Sequence, residues 1–140
     1  MKFSFMGGGL MLACTLSLAA PVDDARSLLQ QGKPAAAADL LDASLVQHLT
    51  HVEHNYLLGI AMLDSGRAGN AVFAFERVLA LQPDHAMARA ELARAMIELR
   101  EYDAARAELL QVRQAPIPPE VAVKVDTMLD KPQPGDIYVL

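Results

Sequence analysis

Apolar residues recur along most of the chain at the spacing of one helical face. Within 57–62 they stand at positions i, i+1, i+4 and i+5, and 71–79 shows the same pattern. Such spacing favours helices, although 121–125 also alternates as a short strand would, and this alternative stays open. The pattern predicts helices at 22–31, 34–47, 51–65, 68–81, 85–99, 102–114 and 119–130.

Helix-capping residues stand where the pattern changes. Thr50 and Glu53 have the spacing of a capping box, which predicts that the third helix begins here. Asp84 directly follows Pro83, so we expect Asp84 to cap the fifth helix after the proline has ended the fourth.

The same features return every 34 residues, in segments that begin at Leu18, Val52 and Ala86. A glycine after the first helix of a segment suits the left-handed residue by which a chain leaves a helix, as at Gly32 and Gly66. In the third segment this position holds an arginine, so we expect a less tight turn there. The recurring positions are Gly59, Gly66, Ala71 and Phe75 in the second segment and Ala93, Arg100, Ala105 and Leu109 in the third.

This repeat resembles the tetratricopeptide repeat (TPR), most strongly over 55–83 and more weakly over nearly all of 21–119. The resemblance implies an all-α fold, a TPR-type right-handed α-solenoid of about seven helices. These would form three helix-turn-helix units and a closing helix. Because a two-helix unit cannot bury its apolar face alone, we expect the units to stack.

The resemblance also implies a binding surface, the concave groove that the first helix of each TPR unit lines and that holds a segment of a partner protein. An apolar floor between Arg26 and Arg94 would suit a peptide with apolar anchors and an acidic group. The alternative, that several of these residues pack against neighbouring helices, stays open. The lysine and asparagine clamp with which some TPR domains bind a chaperone's terminal carboxylate is missing. The groove positions carried over by register are Arg26, Leu29, Glu53, Tyr56, Ile60, Leu63, Met87, Ala90, Arg94 and Ile97.

Residues 1–20 have the pattern of a signal peptide. Lys2 supplies the positive start, 3–18 is uncharged and apolar, and small residues at 19–20 precede a proline. Cys14 offers an alternative, lipid attachment in an outer-membrane-attached lipoprotein. Cleavage after residue 19 or 20 would leave a mature chain without cysteine, and hence without a disulfide or a thiolate metal site.

The C-terminal residues differ from the repeats. Positions 131–136 have the composition of a linker, and 137–140 are apolar and strand-prone. We expect either a short strand against the closing helix or the beginning of a further domain. The predicted organisation is a signal peptide at 1–20, a TPR domain at 21–130 and a linker-like tail with an apolar end at 131–140.

Charge and motifs exclude several classes of function. The net charge is −5, and the arginines alternate with carboxylates along the helices, so the chain lacks the cationic face of a nucleic-acid binder. No glycine-rich phosphate loop occurs outside the leader, and no serine has the glycine neighbours of a nucleophile elbow. We therefore predict no enzyme activity and no cofactor.

Three histidines, His48, His51 and His54, recur at three-residue intervals and are weak candidates for metal ligands. The helix start predicted near Thr50 separates them, which favours a polar junction between the first and second units. His85 is expected at the surface.

The sequence predicts a non-catalytic, exported scaffold in the bacterial periplasm that binds a protein or peptide partner during cell-envelope assembly. As an alternative, the leader, 57–61, 88–93 and 117–121 resemble, more weakly, the periplasmic repeat region of surface lipoprotein assembly modifiers. That resemblance implies a region that precedes an outer-membrane β-barrel, whereas the mature chain has no predicted transmembrane span. A histidine-based metal-binding protein is the minor alternative.

Overall fold

The computed structural model describes residues 20–131 and 134, which contain seven α-helices, one 3₁₀ turn and no strand. The predicted signal peptide, Cys14 and most of the tail therefore lie outside the described residues. The helices are α1 (Ala20–Gln30), α2 (Pro34–Ala43), α3 (Val52–Asp64), α4 (Ala68–Leu81), α5 (Ala86–Glu98), α6 (Tyr102–Arg113) and α7 (Pro119–Leu129), with the 3₁₀ turn at Leu45–His48 between α2 and α3.

Consecutive helices pack in pairs that form three units: unit one (α1 and α2), unit two (α3 and α4) and unit three (α5 and α6). The first helices also contact one another, α1 with α3, α3 with α5 and α5 with α7, whereas α2, α4 and α6 do not. A stack whose first helices are closer together than its second helices curves toward the first helices. The TPR-type α-solenoid predicted from the sequence is confirmed, and α1, α3, α5 and α7 line its concave face.

Two clusters of buried residues form the core. The first joins units one and two to one side of α5 and has the fully buried Phe75 at its centre. The second joins unit three to α7 around Leu109 and Val125. Many buried positions in both clusters are alanines, which let the helix backbones approach closely.

The second helix is shorter than predicted. It ends at Ala43, because the Ser44 hydroxyl donates to the carbonyl oxygens of Leu40 (3.5 Å) and Leu41 (3.2 Å). The chain continues as the 3₁₀ turn Leu45–His48, in which His48 Nδ1 lies 2.8 Å from the carbonyl oxygen of Ser44. A serine that bonds to the preceding carbonyls competes with continued helix.

Both predicted N-caps are one residue too early. His51, not Thr50, caps α3, since His51 Nδ1 accepts from the backbone N–H of His54 at 3.3 Å. His85, not Asp84, caps α5 and accepts from the N–H of Ala88 at 3.1 Å. An unprotonated imidazole nitrogen replaces the usual side-chain oxygen, which the capping rules for sequences do not anticipate.

The turn inside unit three is as tight as that inside unit two, so the expectation of a looser turn was wrong. Arg100 adopts φ 64°, beside 82° for Gly66 and 71° for Gly32. The backbone N–H of Arg100 bonds to the carbonyl of Ile97 at 3.0 Å, as that of Gly66 bonds to Leu63 at 3.1 Å. The backbone N–H of Glu101 also bonds to the carbonyl of Met96 at 2.8 Å, so the local hydrogen bonds that end the helix accommodate an arginine in the left-handed region that glycine prefers.

The closing helix α7 is an α-helix through 121–125, so the strand alternative is wrong. Val121, Val125 and Met128 are buried against α5 and α6, while Val123 points outward and is 67% exposed. The i, i+4, i+7 spacing of the three buried residues explains why a helix forms.

Candidate partner-binding groove

The ten predicted groove residues all lie on α1, α3 and α5, which line the concave face. Two of them are core residues, because Leu63 is 7% exposed and Ala90 is fully buried. Leu29, Tyr56, Ile60, Met87, Arg94 and Ile97 are partly buried, and Arg26 and Glu53 are exposed. We name the surface formed by these eight residues the concave groove.

An exposed ion-pair cluster lies at one end of the concave groove, where α1 meets α3. Arg26 donates to Asp23 at 3.2 Å within α1, and its other terminal nitrogen bonds to Glu53 of α3. All three side chains are at least 44% exposed, so the pairs contribute little to stability but define the polar edge of the groove.

Tyr56 lies at the middle of the groove and joins two units. Its ring stacks on His85, with 5.2 Å between centroids, and is tilted against Phe75 at 6.1 Å. Burial, together with the negative charge of Glu91, raises the pKa of Tyr56 to about 12. The hydroxyl is therefore neutral at physiological pH. The expectation that His85 is a surface residue holds only in part, because it is half-buried and caps α5.

The other end of the groove is organised around one buried carboxylate, Glu91 of α5, which is 2% exposed. It accepts from Arg94 Nε at 2.8 Å and from Lys124 Nζ of α7. Arg94 also donates to Asp64 of α3 at 3.0 Å. Burial alone would lower the pKa of Arg94, but the carboxylates of Glu91 and Asp64 outweigh it and raise that pKa.

Sequence reasoning missed Glu91 and Lys124. The available signal was the repeat itself, since Glu91 lies 34 residues after Leu57 and places a carboxylate where unit two has an apolar side chain. Lys124 could not be assigned to the groove, because α7 was expected only to close the stack.

The three histidines at the junction between units one and two form a stack instead of a set of converging ligands. The rings of His48 and His54 are nearly parallel with centroids 4.7 Å apart, and His51 meets His48 edge-on at 6.2 Å. His54 Nε2 lies 3.0 Å from the Ser44 hydroxyl. No group of three His, Cys, Asp or Glu side chains placed to hold a metal occurs in 20–131. The geometry is that of a polar junction.

Burial, together with the charges of His48, His51 and Arg77, lowers the pKa of His54 to about 4. Asn55 completes the junction, because its amide N–H donates to the carbonyls of His48 and Leu49 and its oxygen accepts from Arg77 at 2.8 Å. With a pKa of about 4, His54 is neutral at physiological pH.

Within the part of the chain that the structure describes, no helix is both long and apolar enough to cross a bilayer.

Three solved structures are similar in fold. Two are structures of SycD, the type III secretion translocator chaperone of Yersinia enterocolitica. The form described as an alternative dimer has TM-score 0.75 and 19% identity and covers 83% of this chain and 91% of that one. The other has TM-score 0.71 and 18% identity, over 79% and 86% of the two chains.

The third is the second TPR domain of human RPAP3 in complex with the HSP70 peptide SGPTIEEVD, with TM-score 0.69 and 14% identity over 79% of this chain and 93% of that one. No curated protein matches the sequence. Two tetratricopeptide-repeat family profiles match residues 22–75 and 62–116, and between them they span all three units. The chain belongs to the tetratricopeptide-repeat family.

Proposed function

We propose that this protein is a non-catalytic, exported scaffold that binds a segment of a partner polypeptide in its concave groove, in the assembly of the cell envelope. The observation that carries the proposal is the combination of half-buried apolar side chains with ion-paired edges on one continuous face. Tyr56, Ile60 and Ile97 give the apolar surface, and Arg26 and Arg94 stand at its two ends.

This arrangement suits a polypeptide better than a small molecule. Partly buried apolar residues on α1, α3 and α5 offer separate places for successive side chains of an extended or helical segment. Aromatic and arginine side chains are the residues that contribute most at protein interfaces, and Tyr56 and Arg94 are held in place by His85 and Glu91.

The similar structures support the same function. SycD is by name a chaperone, and the RPAP3 domain was solved with a bound peptide. In this chain the charged groups of the groove are engaged with each other in ion pairs, which supports a positioning role and not catalysis.

The export part of the proposal rests on the leader sequence 1–20. We expect the full chain, expressed in a Gram-negative host, to be released by osmotic shock and to lose about 20 residues. A variant without residues 2–20 should remain in the cytoplasm. Equal cytoplasmic retention of both chains would contradict export without affecting the groove.

Photo-crosslinking tests the groove directly. A benzophenone amino acid placed at Ile60 faces the groove, and the matched control at Phe73 lies on the outer helix α4, where the native side chain is 63% exposed. We expect an envelope polypeptide to crosslink at position 60 and not at position 73. Circular dichroism should show equal helicity in both variants.

Crosslinks only at position 73 would contradict the groove assignment and indicate the convex face. Loss of the position 60 adduct in a Tyr56→Ala, Arg94→Ala background would show that groove side chains hold the partner. Persistence of the adduct in that background would contradict their role.

A further inference from the structure

We propose that the concave groove selects uncharged, apolar segments of its partner, an inference that rests on the proposed function and deepens it by naming the chemistry of the ligand. Of the residues that form the groove, Arg26, Glu53 and Arg94 are charged, and each is paired within this chain. What the groove offers a ligand is therefore mainly apolar surface. The uncharged groove residues are Leu29, Tyr56, Ile60, Met87 and Ile97.

At the end of the groove where α1 meets α3, carboxylates outnumber the cation. Arg26 is paired with both Asp23 and Glu53, whose side chains are 66% and 52% exposed. A ligand carboxylate would approach Arg26 against the repulsion of these two negative charges. A ligand cation would compete with Arg26, which is already tethered beside both carboxylates. A charged ligand would thus exchange one exposed ion pair for another and gain little affinity.

At the other end of the groove the ion pairs are partly buried and cost more to disturb. Glu91 is 2% exposed and accepts from Arg94 and Lys124. Arg94 also donates to Asp64 of α3 at 3.0 Å. Removal of one partner from a buried ion pair is strongly destabilising. A ligand carboxylate that drew Arg94 or Lys124 away from Glu91 would bind at a penalty, whereas an apolar ligand leaves these pairs intact.

The charges of these two ion-pair networks nearly balance. Electrostatic complementarity selects a ligand of one sign where a surface carries an excess of the other sign. Here three cations stand against four carboxylates, and the two networks lie at opposite ends of the groove. Arg26 and Arg94, from which the sequence suggested an acidic group in the ligand, are both engaged. The members of the two networks are Asp23, Arg26, Glu53, Asp64, Glu91, Arg94 and Lys124.

The apolar surface between the networks is ready to bind. Tyr56 and Ile60 of α3 and Met87 and Ile97 of α5 are all partly buried. The Tyr56 ring stacks on His85 with 5.2 Å between centroids, so a ligand would not have to order it. Methionine adapts its shape to apolar neighbours. An apolar segment would remove the remaining exposed part of these side chains from water without separating any ion pair.

The test uses a bead-bound library of random nine-residue peptides with acetylated N-termini and amidated C-termini, so that only side chains carry charge. We expect the wild-type protein to retain peptides enriched in apolar residues and depleted in Asp, Glu, Lys and Arg. Raising the salt concentration from about 50 mM to about 500 mM should change the affinity of a selected peptide less than about twofold, because salt screens ionic contacts and not apolar ones.

Two variants separate apolar from ionic binding. Ile60→Glu places a carboxylate at the middle of the groove and should weaken binding of a selected peptide at least about tenfold. Its matched control, Phe73→Glu, makes the same change on the outer helix α4, where the side chain is 63% exposed, and should bind as the wild type does. Arg26→Gln removes a groove cation whose partners are both exposed, and should leave the affinity within about twofold.

Because Ile60 packs against the core, Ile60→Glu is compared at unchanged helical circular dichroism, and the salt series and Arg26→Gln test the inference without altering the core. Enrichment of charged residues in the retained peptides, an affinity that falls as salt is raised, or loss of binding in Arg26→Gln would overturn the inference while the proposed function stands. Equal binding by Ile60→Glu and the wild type would overturn both proposals. Both also fall if the wild type retains no peptide, and a dimer that Ile60→Glu separates would then identify a second copy as the occupant.

Discussion

Units two and three have the same order of cap, helix, turn and helix, and three of the differences between side chains 34 residues apart bear on packing. The histidine caps His51 and His85 correspond, as do the left-handed residues Gly66 and Arg100. The differences are His54 against Ala88 at the inner helix, Gly59 with Phe75 against Ala93 with Leu109 between the helices, and glycine against arginine at the turn. The repeat therefore determines the path of the chain, while the side chains packed between the helices differ from unit to unit.

The same comparison separates the two ends of the concave groove. Unit two presents Leu57 to its neighbours, whereas unit three has buried Glu91 at that position and ties it to Arg94 and Lys124. Leu57 and Ile60 of unit two correspond to Glu91 and Arg94 of unit three, so two apolar side chains are replaced by a partly buried ion pair. Units built on the same repeat thus present different side chains on the concave face.

The largest expected effect concerns position 54. The folded-state pKa of His54 is about 4, below the 6.5 of an unperturbed histidine, so its contribution to stability is present above pH 6.5 and is lost as the pH falls toward 4. That loss is about 3 kcal/mol at pH 4 relative to pH 7. Urea unfolding at pH 7, 5.5 and 4 measures it.

The change that tests this origin is His54→Ala, which copies Ala88 of unit three and should flatten the pH dependence while lowering stability at pH 7. Leu58→Ala destabilises the core without removing a titratable group, so its pH dependence should match the wild type. Equal pH dependence in wild type and His54→Ala would show that His54 does not control it.

A smaller effect is expected where α3 packs on α4. A methyl group added at Gly59 would lie 2.5 Å from a ring carbon of the fully buried Phe75, so Gly59→Ala should destabilise the protein by about 1–2 kcal/mol despite the better helix propensity of alanine. The double variant Gly59→Ala, Phe75→Leu copies the Ala93 and Leu109 pair of unit three and should recover most of the loss.

Chemical denaturation of the wild type, both single variants and the double variant completes the cycle. We expect a favourable coupling of about 1 kcal/mol between positions 59 and 75. Additive effects would mean that the two positions are packed independently, contrary to the contact seen here.

The smallest effect is expected at the turns. Arg100→Gly relieves a left-handed conformation that costs about 1–2 kcal/mol for residues other than glycine, and part of this gain is offset by the flexibility of glycine in the unfolded chain. We therefore expect a gain of about 0.5–1 kcal/mol, measured by thermal unfolding.

Arg106→Gly makes the same chemical change inside α6, where the backbone is ordinary helix, and should instead lower stability by about 0.5–1 kcal/mol. A loss of stability in both variants would show that Arg100 is not strained.

Local sequence determined the helices and the family. Apolar spacing gave all seven helices, and the 34-residue period predicted how they pair, because both signals depend only on neighbours along one helix or one unit. Capping was predicted one residue too early twice, because imidazole nitrogens took the place of side-chain oxygens. Alignment of the repeats placed all ten predicted groove residues on the concave helices. It could not show that Ala90 and Leu63 are buried by the neighbouring helices.

Only the tertiary structure decided the chemistry of the groove. Glu91 meets Lys124 from 33 positions away and Arg94 meets Asp64 from 30, so these pairs depend on how far each unit rotates on the previous one. The rotation results from the side chains packed between units, such as Tyr56 against His85. Periodicity reports which face of a helix is buried, whereas the partner across the interface depends on packing that no single segment encodes.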